Sequence, residues 1–132
     1  MKQRIRKIDR VLKVQERLKQ EAEMKLSLLE REIAELRTTQ ETIIQSMNDH
    51  ETLHGLFVDV AARRLQALSS QESHAEKTRI VQKGVALERA MQAKRTERML
   101  ANLKGQDRRE TEKKDLASIL ETLAKGSSAS FP

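Results

Sequence analysis

Residues 50–54 have the spacing of a zinc-hydrolase motif. They read HETLH, which matches the pattern H-E-x-x-H. On a helix this spacing places His50 and His54 one turn apart on one face, where two imidazoles can bind Zn²⁺ and Glu51 can act as general base. A zinc hydrolase also needs a third ligand, an open coordination position and a walled cleft. The motif therefore has to be judged by the elements that would position it.

The surrounding sequence does not supply the rest of a zinc site. The extended motif of one metalloprotease class requires Gly and His where Phe57 and Val60 stand. Glu72, His74 and Glu76 are suitable third ligands by residue type, but on a continuing helix they lie some 20 residues on, about 30 Å away. The chain also contains no P-loop, glycine-rich phosphate cradle or nucleophile constellation. We therefore expect a protein that is not an enzyme and uses no metal or cofactor.

The composition favours long helices over a compact globular core. Of the 132 residues 35% are charged and 2% are aromatic, and there are one Pro and four Gly. A core of this size normally contains several aromatic side chains, because each buries a large area. Few helix breakers and many good helix formers are typical of long helices or coiled coils. Disorder is the competing interpretation, and regularly spaced Leu, Ile and Val argue against it.

The sequence carries no sign of secretion or membrane insertion. It has no cysteine, so disulfides and Cys-ligated zinc are excluded. The basic opening MKQRIRKIDRVLK is not followed by the apolar region of a signal peptide. No stretch approaches 18 uncharged apolar residues. We expect a cytoplasmic protein without a membrane span.

An apolar stripe with helical spacing predicts a first helix over residues 4–47. From Leu29 onward its spacing is 4-3-4-3-4, which is a heptad seam. So narrow a stripe on so long a helix needs a partner helix for stability. The predicted stripe consists of Ile8, Val11, Leu18, Ala22, Leu26, Leu29, Ile33, Leu36, Ile43 and Met47, interrupted by Gln15 and Gln40.

A turn is predicted within residues 48–55, which read NDHETLHG. Asn48 is a good helix N-cap, and Glu51 three residues later completes a capping-box pattern. A rival break is LSSQES at 68–73, where Ser69 and Glu72 form the same pattern. We favour the first position.

A second, longer helix is predicted over residues 51–124, followed by a disordered Gly/Ser-rich tail over 125–132. Two amphipathic helices joined by a short turn predict an all-α, antiparallel two-helix coiled-coil hairpin that forms a single domain over 1–132. The longer helix should then overhang its partner. Its predicted stripe contains Leu53, Leu56, Phe57, Val60, Ala61, Leu65 and Leu68, then Ile80, Val81, Leu87, Met91, Met99 and Leu103, and finally Leu116, Ile119, Leu120 and Leu123.

Charge is distributed in a basic, acidic, basic order. The net charge is +6 over residues 1–19, −6 over 20–76 and +7 over 77–114. Such a distribution can steer docking onto an oppositely charged partner. The basic residues could contact phosphates, but Phe57 and Phe131 are the only aromatics, so base stacking is not supported. Nucleic acid is therefore the less favoured partner.

The chain resembles the small coiled-coil stalk and general-chaperone component of the bacterial flagellar type III export apparatus, the FliJ type, and its counterparts in virulence secretion. The resemblance covers about residues 4–124. It rests on the opening RIRKIDRVLKVQERLKQEAE, a first helix of about 45 residues, a turn, the segment LFVDVAARRLQAL and a longer basic second helix.

The resemblance implies a protein that works by contact, in the cytoplasm and peripheral to the inner-membrane export apparatus. Such stalks enter the pore of a hexameric export ATPase, promote ring assembly, touch the membrane export-gate protein and are credited with escorting substrate chaperones. The implied gate-binding residues are Phe57, Ala61, Leu65 and Leu68, and the implied pore-entering residues are Arg4, Lys7, Arg10, Arg108 and Arg109. The alternative is a basic coiled-coil protein bound to nucleic acid or another scaffold. Self-association of the hairpin and the choice between flagellar and virulence systems stay open.

Overall fold

The computed structural model describes residues 1–49 and 54–129. Helix α1 spans Lys2–Asp49 and helix α2 spans His54–Ala129, and the described residues contain no strand. The predicted all-α hairpin with a longer second helix is confirmed. No described helix is both long and apolar enough to cross a bilayer.

The break between the two helices falls within the residues predicted for the turn. Helix α1 ends inside the window predicted for the turn, and the rival break at 68–73 lies within α2. Residues 50–53 between the helices lie outside the described residues. Helix α2 is described as far as Ala129, and residues 130–132 of the predicted tail are also outside.

The chain divides into two compact units, each of which contains parts of both helices. The terminal unit comprises Met1–Glu16 and Met91–Pro132, and the central unit comprises Arg17–Ala90. In the central unit Arg37 contacts Glu72, and Ala22 contacts Gln82. The α2 residue number rises as the α1 number falls, so the helices are antiparallel there.

Helix α1 turns a heptad seam towards α2. Every position of one heptad frame is buried or half-buried, namely 5, 8, 12, 15, 19, 22, 26, 29, 33, 36, 40, 43 and 47, and the neighbouring positions 9, 18, 39 and 46 are half-buried as well. The prediction was wrong at Val11, which is 48% exposed, whereas Leu12 is 8% exposed. Counting back from Leu29 in alternating steps of three and four leads to position 12 and not 11. Lys19 holds a seam position beside Leu18, where its aliphatic stem can be buried while its ammonium reaches water.

Helix α2 buries a different stripe from the one predicted over residues 80–99. Its seam runs through positions 61, 65, 68, 72, 75, 79, 82, 86, 89, 93, 96, 100 and 103. Four of these are alanines that are 4–7% exposed: Ala61, Ala75, Ala86 and Ala93. The predicted members Ile80, Val81, Leu87, Met91 and Met99 are instead 50–68% exposed.

The physical reason is the heptad frame. Leu65, Leu68, Leu100 and Leu103 all fit one frame, and the alanines fall on the same frame. Ile80, Val81 and Leu87 do not, so a continuous helix cannot bury them without exposing the leucines. Small residues on α2 leave room for the larger side chains of α1. In the terminal unit Leu12, Ala93 and Leu100 form a buried cluster against which Ile5 and Ile8 pack.

Candidate functional site

The zinc motif does not acquire a third ligand from the part of the chain that is described. Residues 50–53 and the side chain of His54 lie outside it. Within residues 1–49 and 54–129, no three His, Cys, Asp or Glu side chains come together in a way that could hold a metal ion. The absence of catalysis stays a prediction.

Glu72, which the sequence suggested as a helix cap or metal ligand, instead connects the two helices of the central unit. Its Oε1 accepts a hydrogen bond from Arg37 Nε at 2.6 Å, and its Oε2 accepts one from Gln40 Nε2 at 2.9 Å. One turn further along α2, Glu76 Oε1 accepts hydrogen bonds from Arg79 Nε and Nη2 at 3.0 and 2.6 Å. The two carboxylates are thus engaged in ion pairs.

These ion pairs shift the titration of all four groups. The hydrogen bond from Arg37, and then that from Gln40, lowers the pKa of Glu72, and the hydrogen bond from Arg79 lowers the pKa of Glu76. The pKa of Arg37 is raised by Glu72, and that of Arg79 is raised by Glu76. The two carboxyl pKa values are lowered and the two guanidinium pKa values are raised, as expected for opposite charges at hydrogen-bond distance.

The implied gate-binding residues lie on the side of α2 that faces α1. Ala61 is 5% exposed, and Phe57, Leu65 and Leu68 are half-buried. The prediction was wrong at Val60, which the sequence also assigned to the stripe: it lies one position before Ala61, outside the heptad frame, and is 63% exposed. The four residues therefore contribute to the central unit, and only their half-exposed edges are accessible to a partner.

The implied pore-entering residues all belong to the terminal unit, and all are exposed. Arg4, Lys7 and Arg10 lie on α1, where Lys7 and Arg10 line a shallow groove together with Gln3 and Arg6. Arg108 and Arg109 lie on α2. The whole terminal unit contains fifteen Lys and Arg against eight Asp and Glu, a net charge of +7, whereas the central unit has −1.

The terminal unit also contains a stretch of α2 that α1 does not cover. From Arg108 to Gly126 every side chain is exposed. Leu116, Ile119, Leu120 and Leu123 are 57–63% exposed. Their spacing of three, one and three residues places them on one face of the helix. The chain thus presents an uncovered amphipathic helix flanked by Arg108 and Arg109, as the longer second helix led us to expect.

Comparisons with known proteins do not assign the chain to a family. It matches no family model, no curated protein and no solved structure. The likeness to export stalks therefore stays a prediction drawn from sequence features.

Proposed function

We propose that the protein is a non-enzymatic coiled-coil stalk that binds a hexameric export ATPase and promotes its assembly in flagellar-type protein export. It would act in the cytoplasm, peripheral to the inner-membrane export apparatus. The observation that supports this most is the uncovered stretch of α2 from Arg108 to Gly126. A single amphipathic helix of this kind needs an external surface against which to bury its apolar face.

Charge would guide this segment into the ATPase ring. The terminal unit is the basic part of the chain, with a net charge of +7. Exposed cations accelerate association with an acidic pore, and they are worth most when the pore excludes water. Arg4, Lys7 and Arg10 would act together with Arg108 and Arg109 in this contact, and the leucine-rich face would supply the apolar area.

Contact with an export-gate protein would use the start of α2. Phe57, Leu65 and Leu68 keep half-exposed edges, whereas Ala61 is covered. A gate protein would therefore bind along the edge of the central unit, and contact with Ala61 would require α1 to move. Substrate chaperones are a further class of partner for the same exposed edges.

The chain offers a matched pair of charge reversals to test ATPase binding. Arg108→Glu with Arg109→Glu changes the terminal unit, whereas Arg63→Glu with Arg64→Glu changes another exposed arginine pair, in the central unit, of which Arg63 also donates to Asp59. We expect the first double variant to bind the export ATPase at least about tenfold more weakly and to lose promotion of its hexamer, since opposite charges become like charges. The second should behave as wild type. Sedimentation of the ATPase with each variant measures both, and equal binding by all three proteins would refute the proposal.

The alternative is a nucleic-acid-bound coiled coil, which the same charge of +7 supports. It predicts binding to any nucleic-acid duplex. The logarithm of the association constant should then fall linearly with the logarithm of the salt concentration. A pull-down from host lysate with nuclease separates the two. A retained hexameric ATPase supports the stalk, and retained material that disappears with nuclease and salt supports the alternative.

A further inference from the structure

The outward face of α2 in the central unit carries an apolar patch that its own hairpin does not use. Ile80, Val81 and Leu87 are 60%, 68% and 58% exposed. Gly84 lies between them, also exposed, on the side of the helix roughly opposite the seam positions 79, 82 and 86. We call these four residues the outer patch. Ile80, Val81 and Leu87 are residues that the sequence assigned to the seam and that the structure turns outward.

No close approach among the described residues requires a glycine at position 84. A Cβ added at this position meets nothing within 4 Å. A glycine inside a helix costs about 1 kcal/mol relative to alanine, and here no close approach within the chain requires it. A glycine on a helix surface does allow a second backbone to come close. Its place at the centre of the outer patch therefore points to a second helix that crosses α2 there.

We propose that the outer patch is the interface between two copies of this chain, whose α2 helices cross antiparallel with Gly84 on the two-fold axis. Such an interface is isologous, so a residue a given number of positions before Gly84 faces the residue the same number after it in the other copy. Val81 then faces Leu87 of the second copy, and the reverse pair forms on the other side of the axis. Ile80 lies beside the same leucine.

The charges around the outer patch fit this arrangement. Glu88 comes four positions after Gly84, so it faces Ile80 of the second copy. Lys77 and Lys83 lie three positions before and after Ile80 on the same face. Each Glu88 therefore lies beside Lys77 of the other copy, while Lys83, about 100° round the helix from Gly84, lies at the edge of the patch.

Lys77, Lys83 and Glu88 are available for ion pairs with a second copy of the chain. All three are exposed, and within the described residues they take part in no ion pair within 4 Å. A parallel crossing would place Lys77 against Lys77 and Glu88 against Glu88, which is repulsive. Charge therefore selects the antiparallel orientation.

The size of the outer patch sets the expected strength. One helix crossing with a few apolar pairs lies at the small end of protein interfaces, which are weak and transient. We expect dissociation constants on the order of 100 µM. The interface uses none of the residues assigned above to ATPase or gate binding, so it stands or falls independently of the proposed function.

Charge reversal tests the orientation. Sedimentation equilibrium of the full chain from 10 µM to 1 mM, a range around the value of about 100 µM given above, should show a monomer–dimer equilibrium. Glu88→Lys should weaken it at least about tenfold, as should Lys77→Glu with Lys83→Glu, because each creates like-charge contacts. Mixing the two variants should restore a dimer made of one copy of each. Glu41→Lys, at an exposed position of α1, is the control and should dimerise as wild type.

Substitution of the glycines tests the crossing point. Gly84 and Gly105 are 21 residues apart, three heptads, so they hold the same heptad position on α2, although Gly105 is half-buried and a Cβ added there would lie 3.9 Å from Arg109 Nη2. Gly84→Gln and Gly105→Gln should both raise the melting temperature of the monomer, because glutamine is the better helix former. Only Gly84→Gln should weaken the dimer, by at least about tenfold, because its side chain blocks the approach of the second backbone. A chain that is monomeric throughout the concentration range would overturn the proposal. So would a dimer that survives Gly84→Gln or Glu88→Lys unchanged.

Discussion

Glu72 accepts hydrogen bonds from Arg37 and Gln40, and both lower the pKa of its carboxyl. Because the folded pKa lies below the ordinary value of 4.5, the ion pair stabilises the fold fully above that value. Its contribution is lost as the pH falls through the lower folded pKa. The carboxylate is partly exposed to solvent, so the contribution is modest.

We therefore expect Glu72→Gln to lower the urea midpoint at pH 7 and to make a smaller difference at about pH 3, because the contribution of the charge declines as the pH falls below 4.5 towards the lower folded pKa. Glu112→Gln, at an exposed position without an ion pair among the described residues, is the control and should match wild type at both pH values. Equal loss of stability by Glu72→Gln at pH 7 and pH 3 would show that the charge is not what stabilises this contact.

Gln15 is the polar residue of the α1 seam whose side-chain oxygen is buried without a hydrogen-bond partner among the described residues. We expect Gln15→Leu to raise the free energy of unfolding by about 1–2 kcal/mol, since it removes an unsatisfied group and adds apolar burial. Gln40→Leu is the matched comparison, because the Gln40 amide donates to Glu72. It should be neutral or destabilising. Urea titration measures both, and a destabilised Gln15→Leu would mean that its oxygen is hydrogen-bonded in solution.

At the scale of the helices, sequence periodicity predicted α1 far better than α2. Large apolar residues mark the α1 seam, so its spacing could be followed directly and was wrong only at Val11. On α2 the seam between residues 72 and 96 is made of alanines and polar residues, while larger apolar residues face outward. Hydrophobicity therefore pointed to the wrong face. A heptad count from Leu65 and Leu68 would have found both the alanines and Glu72.

The heptad frame of α1 can be tested where the predicted seam residue, Val11, differs from the observed one, Leu12. Leu12 is 8% exposed inside the terminal cluster and Val11 is 48% exposed. We expect Leu12→Ala to cost about 2–4 kcal/mol and Val11→Ala less than about 0.5 kcal/mol. Urea unfolding followed by circular dichroism measures both. A larger effect at Val11 would place the seam one residue earlier, as the periodicity alone predicted.

Along the full length of α2, the part that packs against α1 is separate from the part that we propose to bind the export ATPase. The seam ends near Leu103, and the exposed stretch begins at Arg108. The overhang and the basic ends were predictable from helix lengths and charge. The burial of the implied gate residues was also predictable, since all four belong to the predicted apolar stripe of α2 and all are buried or half-buried.

Removal of residues 108–132 should therefore leave the free energy of unfolding within about 0.5 kcal/mol of wild type, since the described part of this segment buries no side chain. The same truncation should abolish binding to the export ATPase if the proposed function holds. Urea titration and co-sedimentation measure the two effects. A truncated protein that unfolds more easily would show that the segment supports the fold as well.

The antiparallel pairing also orders the contacts by the length of chain that each one closes. Arg37 and Glu72 are 35 residues apart, Ala22 and Gln82 are 60 apart, and Leu12 and Ala93 are 81 apart. Closing the longest of these loops costs less than about 1 kcal/mol more than closing the shortest. Once the contacts nearest the turn have formed, each further contact along the helices adds only a few residues to an existing loop. The two helices can therefore pair progressively, starting from the ends nearest each other in sequence, with the residues nearest the two chain ends joining last.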